Sequence, residues 1–325
     1  MFQFCIRNLE FAYDKVNKVN GKQTIHLFMC KHDVKFLYTS VHHESGSNKV
    51  TSESNDNVDC PLLEETNAQG SKQNKKLLKL QANKLFKIKE DFQSFPILGS
   101  AIPDDYGIFY EGTDKNLKVP SVTHILNQTM PFHARKALEI WKKGIIDEFG
   151  EEYFKEFSAG LLSDGKLFHS CIESILQGNE EVEVSPKIEL AYSSVKPVLK
   201  NITSVEATET PVTHPMLRYR GIVDCIACYG NDVCVIDWKT SKKPKTKLRE
   251  TYDAPVQLAA YIGAINASQQ YPSPIDKGLV VIGYTDGKDA TVHVLEKDTL
   301  QEAWKEWLKR LEQYYINLNK KQEEK

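Results

Sequence analysis

Two runs that read with a period of two, residues 216–229 and 233–239, stand on either side of the dipeptide Gly230-Asn231. Such a pair reads as a two-residue hairpin loop, because it accepts the positive φ values that match the twist of the flanking strands. A two-residue loop fixes the register: facing residues have numbers that sum to 461. Asp224 then lies directly opposite Asp237, and Lys239, two residues on, shares their face. A slip of one residue would turn every side chain to the other face and undo this convergence.

Facing carboxylates repel unless a cation lies between them, and the neighbours Ile222, Ile226 and Val235 make these strands otherwise apolar. A hard divalent cation explains the pairing economically, and carboxylate oxygens, a backbone carbonyl and water suit Mg²⁺. A lysine beside such an ion can hold or help deprotonate an attacking water and stabilise charge on a phosphate. The competing reading is that each aspartate caps a turn or joins Lys239 in a surface ion network.

The rest of the chain narrows the class. Across 325 residues, 42 Lys+Arg against 44 Asp+Glu leave a net charge of -2, so a nucleic-acid partner requires a local basic patch. No apolar run approaches the ~20 residues of a membrane-spanning helix; the longest, such as 278–283, are strand-sized. Seven scattered cysteines argue against a disulfide framework and for a reducing compartment. Cys225, Cys228 and Cys234 read as small apolar residues of a hairpin rather than a metal knuckle, which would need a fourth ligand.

Residues 1–100 read as a targeting segment followed by a disordered linker, since 44–83 is rich in Ser, Asn, Lys and Glu. Order is expected from about Val119. A helical section, about 119–200, comprises a helix opening at 120–123, one over 132–149, further helices punctuated by Gly150 and Gly160, a short amphipathic helix over 165–177 and one over 186–200. A sheet core, about 204–318, follows: strands 205–212, 216–229 and 233–239, a helix 254–266, a second hairpin 278–284 and 290–295 across Asp286-Gly287, and a helix 300–318. Together they make residues 101–325 one α/β domain.

Two helices add polar companions. His169 flanks the stripe of Phe168, Ile172, Ile175 and Leu176, with Glu173 one turn on; Gln257 and Tyr261 form an i, i+4 pair beside Leu258 and Ile262. Each alone is an ordinary helix feature. In order, however, Gly165-Lys166-Leu167-Phe168-His169, Gly221-Ile222-Val223-Asp224, Asp237-Trp238-Lys239 and Gln257-Leu258-Ala259-Ala260-Tyr261 resemble the signature of RecB-type PD-(D/E)XK nucleases. Pro120-Ser121-Val122-Thr123 and the phrase from Val235 to Ser241 are similar to the mitochondrial members of that family.

The resemblance covers about 119–318 and implies a restriction-endonuclease-like core, a central mixed β-sheet flanked by helices, with Mg²⁺- or Mn²⁺-dependent phosphodiester hydrolysis. It implies metal ligands at Asp224, Asp237 and the Trp238 backbone carbonyl, a catalytic Lys239, a metal-proximal His169, and Gln257 with Tyr261 positioning Lys239 or the scissile phosphate. A further Glu on the preceding strand is expected at Glu209, or failing that Glu206. No Cys follows Cys234, so no iron–sulfur cluster is expected.

Lys239, Lys242, Lys243, Lys245, Lys247 and Arg249 follow the metal strand without an intervening acid, and an anionic backbone must reach the metal. Arg135 and Lys136, with Lys142 and Lys143, are candidates for an opposite wall, His133 or Trp141 for base stacking, and Ser121 and Thr123 for further DNA contacts. The expectation is a metal-dependent exonuclease for single-stranded DNA with free ends, in the mitochondrial matrix, beside replication or repair proteins and no membrane. Its rivals are a flap endonuclease on the same fold and an inactive nucleic-acid-binding scaffold.

Overall fold

The computed structural model describes residues 86–88, 92–98, 108–110, 119–179 and 181–324. The hairpin has the register that the loop dictates: Tyr229 faces Asp232, Cys228 faces Val233, and pairing runs back to Cys225 opposite Ile236. Gly230 takes a φ of 64°, the left-handed conformation that the turn requires.

The elements are β1 (Phe86–Ile88), β2 (Ile108–Tyr110), α1 (Val122–Gln128), α2 (Phe132–Phe149), α3 (Glu151–Leu176), α4 (Glu189–Leu199), β3 (Ile202–His214), β4 (Tyr219–Tyr229), β5 (Asp232–Ser241), α5 (Ala254–Ser268), β6 (Lys277–Tyr284), β7 (Thr291–Glu296) and α6 (Lys297–Glu323). Strands β3 to β7 form one mixed sheet in sequential order, with β1 and β2 paired separately. All neighbours in the main sheet are antiparallel except β5 and β6, whose parallel pairing α5 makes possible by carrying the chain back. The expected mixed sheet between helices is therefore the architecture observed.

Each face of the sheet has its own core. On one side α5 and α6 pack against Val223, Ile226, Val235, Val280 and Ile282; on the other, α3 and α4 pack against Cys225, Ala227, Ile236, Trp238 and Val281. Every residue from Ala254 to Asn266 is buried, because α5 lies between the sheet and α6. Gly263 permits the close approach of α6: a Cβ there would sit 2.3 Å from Cζ3 of Trp304. Trp304, Trp307 and Leu308 are fully buried, each worth ~1.5–3 kcal/mol or more by area removed from water.

Three expectations are corrected. Gly160 does not break a helix: α3 runs unbroken for 26 residues, and the segment 165–177 is its C-terminal half. One helical glycine costs only about 1 kcal/mol, which packing of the Phe168–Ile172 end outweighs. The boundary at residue 100 falls too late, because Phe92, Phe95 and Ile97 are buried in the core under α5 and α6. Trp304 Nε1 donates to the Phe95 carbonyl at 2.6 Å, and Asn266 Nδ2 donates to the Ile97 carbonyl. Of the targeting segment and linker expected over 1–100, residues 1–85, 89–91 and 99–100 lie outside the described residues. Finally, Ile222 is 53% exposed rather than part of an apolar interior.

Candidate active site

The ladder between β4 and β5 ends one pair short of the two aspartates. Beyond Cys225 and Ile236, β5 continues to Ser241 against β6, while β4 runs back to Tyr219 against β3. At this fork Asp224 Oδ2 accepts the Trp238 backbone N–H at 2.8 Å, taking the place of a ladder bond.

Strand alternation breaks at the same level. Val223 and Ile226 share a core although they stand three positions apart, so β4 shifts its facing at Asp224. Ala207 and Val212 likewise pack on one core, five residues apart, so β3 shifts too. The break in β3 coincides with Glu209, whose φ of 43° is left-handed. Between the pairs Thr208–Cys225 and Thr210–Val223, Glu209 is the residue opposite Asp224. Such backbone costs of order 1–3 kcal/mol, and here it brings two like charges together.

A ring nitrogen of His169, an oxygen of Glu209 and an oxygen of Asp224 all lie within 4.8 Å of one another. His169 Nδ1 is 3.4 Å from Asp224 Oδ2 and 3.8 Å from Glu209 Oε1. Burial disfavours the charged imidazole, but the carboxylates of Asp224 and Glu209 more than offset it and hold its pKa above the ordinary value. One nitrogen and two hard oxygens at this spacing are a donor set that fits a divalent cation. The strained approach of Glu209 to Asp224 makes sense with positive charge between them.

On β5, Asp237 and Lys239 share parity with Val235, which places them toward α5. Both are buried, at 1% and 4% exposure, and Lys239 Nζ donates to Asp237 Oδ1 at 2.5 Å. Of the three groups expected on one face, Asp237 and Lys239 share the α5 side, whereas Asp224 stands at the parting of the strands, where His169 reaches it from the α3 side. Trp238 enters through its backbone, its indole being buried against α3 and α4.

On α5, Gln257 Nε2 donates to Tyr261 Oη at 2.8 Å, and both side chains are buried. The glycine before the aspartate belongs to this arrangement: a Cβ at Gly221 would lie 2.3 Å from Cε1 of Tyr261. Arg310 of α6 fixes the start of α5. Its guanidinium binds both oxygens of Asp253 at 3.2 Å and donates to the Leu126 carbonyl and Thr129 Oγ1. Nothing in local sequence pattern singled out Arg310, because its partners lie 57, 181 and 184 residues away.

The basic segment divides. Lys242, Lys247 and Arg249 are exposed and Lys243 half-buried, but Lys245 is 3% exposed, with Nζ over the Tyr252 ring at 4.7 Å. Lys245 is thus not the solvent-facing residue that the run suggested; its backbone is held by Tyr284 Oη and His293 Nε2. Arg135 and Lys136 are exposed on α2, whereas Trp141 packs edge-on to Phe154 across the α2–α3 pair at 5.6 Å. Ser121 Oγ accepts the His124 N–H as N-cap of α1, with Thr123 Oγ1 at 3.3 Å. Glu206 is exposed on β3, three residues from the break at Glu209. The hairpin cysteines behave as small apolar residues: burial pushes the Cys225 thiol up to about 12 and that of Cys234 to about 11.

Residues 180–323, which carry the five-stranded sheet with Glu209 and Asp224, match the model of the PD-(D/E)XK nuclease superfamily. The chain is homologous to proteins named mitochondrial genome maintenance exonuclease 1: 46% identity over 215 residues in Xenopus tropicalis, covering 65% of this chain and 60% of that protein. Identity is 42% over 199 residues in Mus musculus, covering 60% and 59%, and 41% over 199 residues in Homo sapiens, covering 60% and 58%. The chain thus spans about 60% of the length of the curated relatives it matches. The PD-(D/E)XK match includes Glu209, Asp224, Asp237, Lys239, Gln257 and Tyr261, while His169 lies just before it.

Proposed function

We propose that this chain is a Mg²⁺- or Mn²⁺-dependent exonuclease that hydrolyses single-stranded DNA from free ends in the mitochondrial matrix, serving mitochondrial DNA replication, repair or maintenance. The observation that carries the chemistry is the meeting of His169, Glu209 and Asp224 at the fork, beside the buried Lys239–Asp237 pair. The genome-maintenance role rests on the names of the relatives.

Asp224, Glu209, Asp237, His169 and the Trp238 carbonyl are the groups that would hold the cation. When bound, the ion supplies Lewis-acid stabilisation of the charge that builds on the scissile phosphate. Lys239 provides the positive charge fixed beside that phosphate: its ammonium orients the attacking water and steadies the phosphoryl oxygens. Asp237 restrains the Lys239 ammonium at short range, and Gln257 and Tyr261 occupy the same side of the sheet, where they position it. The exposed Lys242, Lys247 and Arg249, with Lys243, guide the strand toward the fork from one side, and Arg135 with Lys136 from the other. Ser121 and Thr123, at the start of α1, lie on this approach next to Arg220, with which Ser121 forms a bridge.

The test is digestion of 5′- and 3′-labelled single strands and their duplex in Mg²⁺, Mn²⁺ and EDTA, with Lys239→Ala as control. Metal-dependent shortening of the single strand, lost in the variant, is the expected result. Cleavage of a strand blocked at both ends would instead favour the flap endonuclease, and DNA binding without cleavage under either metal the inactive scaffold.

A further inference from the structure

Next to the carboxylates lies a patch of sheet that no helix among the described residues covers. On β4, Tyr219 and Val223 are buried toward α5 and α6, so Arg220 and Ile222 point to the opposite side. On β3, Val212 is buried toward α5 and α6, so Pro211 and Thr213 do the same. Pro211 pairs with Ile222 and Thr213 with Arg220, and all four are exposed. This is the side from which His169 on α3 reaches Asp224. Elsewhere this face is sealed by α3 and α4.

The patch has a defined chemistry. Ile222 and Pro211 form an apolar pair two strand positions from Asp224, about 6.8 Å along the strand. Two positions further stands Arg220, held by its backbone N–H on the Pro120 carbonyl at 3.0 Å and its Nε on the Val119 carbonyl at 3.1 Å. In order the strand thus offers an acid at the reacting phosphate, an aliphatic surface, then a cation. From Asp224 to Arg220 the strand runs about 13.6 Å, so the sugar beside the reacting phosphate falls at Ile222 and a phosphate more than one step along falls at Arg220.

We propose, resting on the nuclease reading above, that the sugar next to the scissile phosphate packs on Ile222 and that Ile222 makes the site select deoxyribose over ribose. A 2′-hydrogen lies well against an aliphatic side chain. A 2′-hydroxyl at the same place loses water and gains no partner from Ile222 or Pro211. Arg220 takes a phosphate further along the strand, which sets the register without reading the sugar.

The experiment is digestion of an end-labelled single-stranded DNA that carries one internal ribonucleotide, beside the all-DNA strand, resolved by length over time. Wild type should pause when the ribonucleotide reaches the patch, slowing about tenfold or more at that position only. Ile222→Asn, whose amide can partner the hydroxyl, should digest all-DNA more slowly than wild type, yet its pause at the ribonucleotide, measured against its own all-DNA rate, should shrink to within about threefold. Ile222→Val should keep the pause, and Arg220→Gln should weaken binding and flatten its salt dependence without moving the pause. Because Ile222 is exposed, Ile222→Asn is expected to fold, and a circular-dichroism melt matching wild type checks it. No pause in wild type, or a pause unchanged in Ile222→Asn, overturns the assignment of Ile222. Failure of wild type to digest the all-DNA strand removes the nuclease reading on which it stands.

Discussion

A methyl group at position 221 is the smallest change that reaches the site. Strands prefer Ala to Gly by roughly 0.5–1 kcal/mol, so Gly221→Ala should stabilise β4 if space allowed. Space does not allow it: the new Cβ would fall 2.3 Å from Cε1 and 2.9 Å from Cδ1 of Tyr261, against the ~3.5–4.0 Å of a relaxed carbon contact. The ring must retreat by more than about 1 Å, yet Tyr261 is 3% exposed on a helix buried along its length and accepts a hydrogen bond from Gln257. Overpacking of this kind costs about 1–3 kcal/mol, so a net loss of about 1–2 kcal/mol is expected by urea denaturation. Displacing the Gln257–Tyr261 pair should also slow cleavage, of order 100-fold for an ångström of misplacement. A double-mutant cycle separates the effects. Tyr261→Leu removes the clashing ring, so Gly221→Ala in that background should be neutral in stability, a coupling of at least ~1 kcal/mol, while cleavage stays low. Tyr261→Phe keeps the clashing carbons and should not rescue. Equal destabilisation by Gly221→Ala in the wild-type and Tyr261→Leu backgrounds would refute the steric reasoning.

The remaining expectations concern stability and metal. Arg310→Met leaves Asp253 without its bidentate partner and α5 without its anchor; a loss of about 3 kcal/mol is expected in chemical denaturation, larger than for any exposed arginine. Burial among Phe95, Tyr219 and Trp304 lowers the His214 pKa to about 3. The unfolded chain takes up this proton below about pH 6.5 while the folded one does not, so this group's stability is lost as pH falls from there toward about 3. It should account for about 2 kcal/mol between about pH 7 and about pH 5, and His214→Gln should flatten that part of the stability profile. Mn²⁺ should raise the melting temperature of wild type, by the equivalent of about 2.7 kcal/mol at a hundredfold excess over Kd, and Asp224→Asn should abolish the shift.

Much of this protein is written locally. Gly230-Asn231 sets the hairpin register, and with it the nearness of Asp224 to Asp237, because a two-residue loop leaves the backbone no other pairing. Residues 132–149 announce α2 by spacing alone, and the buried stripe of α6 at Trp304, Trp307, Leu308 and Leu311 is likewise visible as periodicity. Other features depend on partners far along the chain. The paired breaks at Glu209 and Asp224 follow from two cores claiming opposite faces of the same strands, which no single strand records. The segment around Phe92, Phe95 and Ile97 looks like linker until Asn266 and Trp304 supply its hydrogen bonds and a core to enter. Lys245 reads as one more cation in a basic run, and only the packing of Tyr252, Tyr284 and His293 around it decides that it is buried. Sequence by itself determined the elements, the hairpin register and the residue types able to hold a cation, since these follow from local periodicity and turn chemistry. Tertiary structure alone decided where the strands part, which side each charged group reaches the fork from, and that Ile222 faces solvent, because burial and facing are properties of the packed sheet.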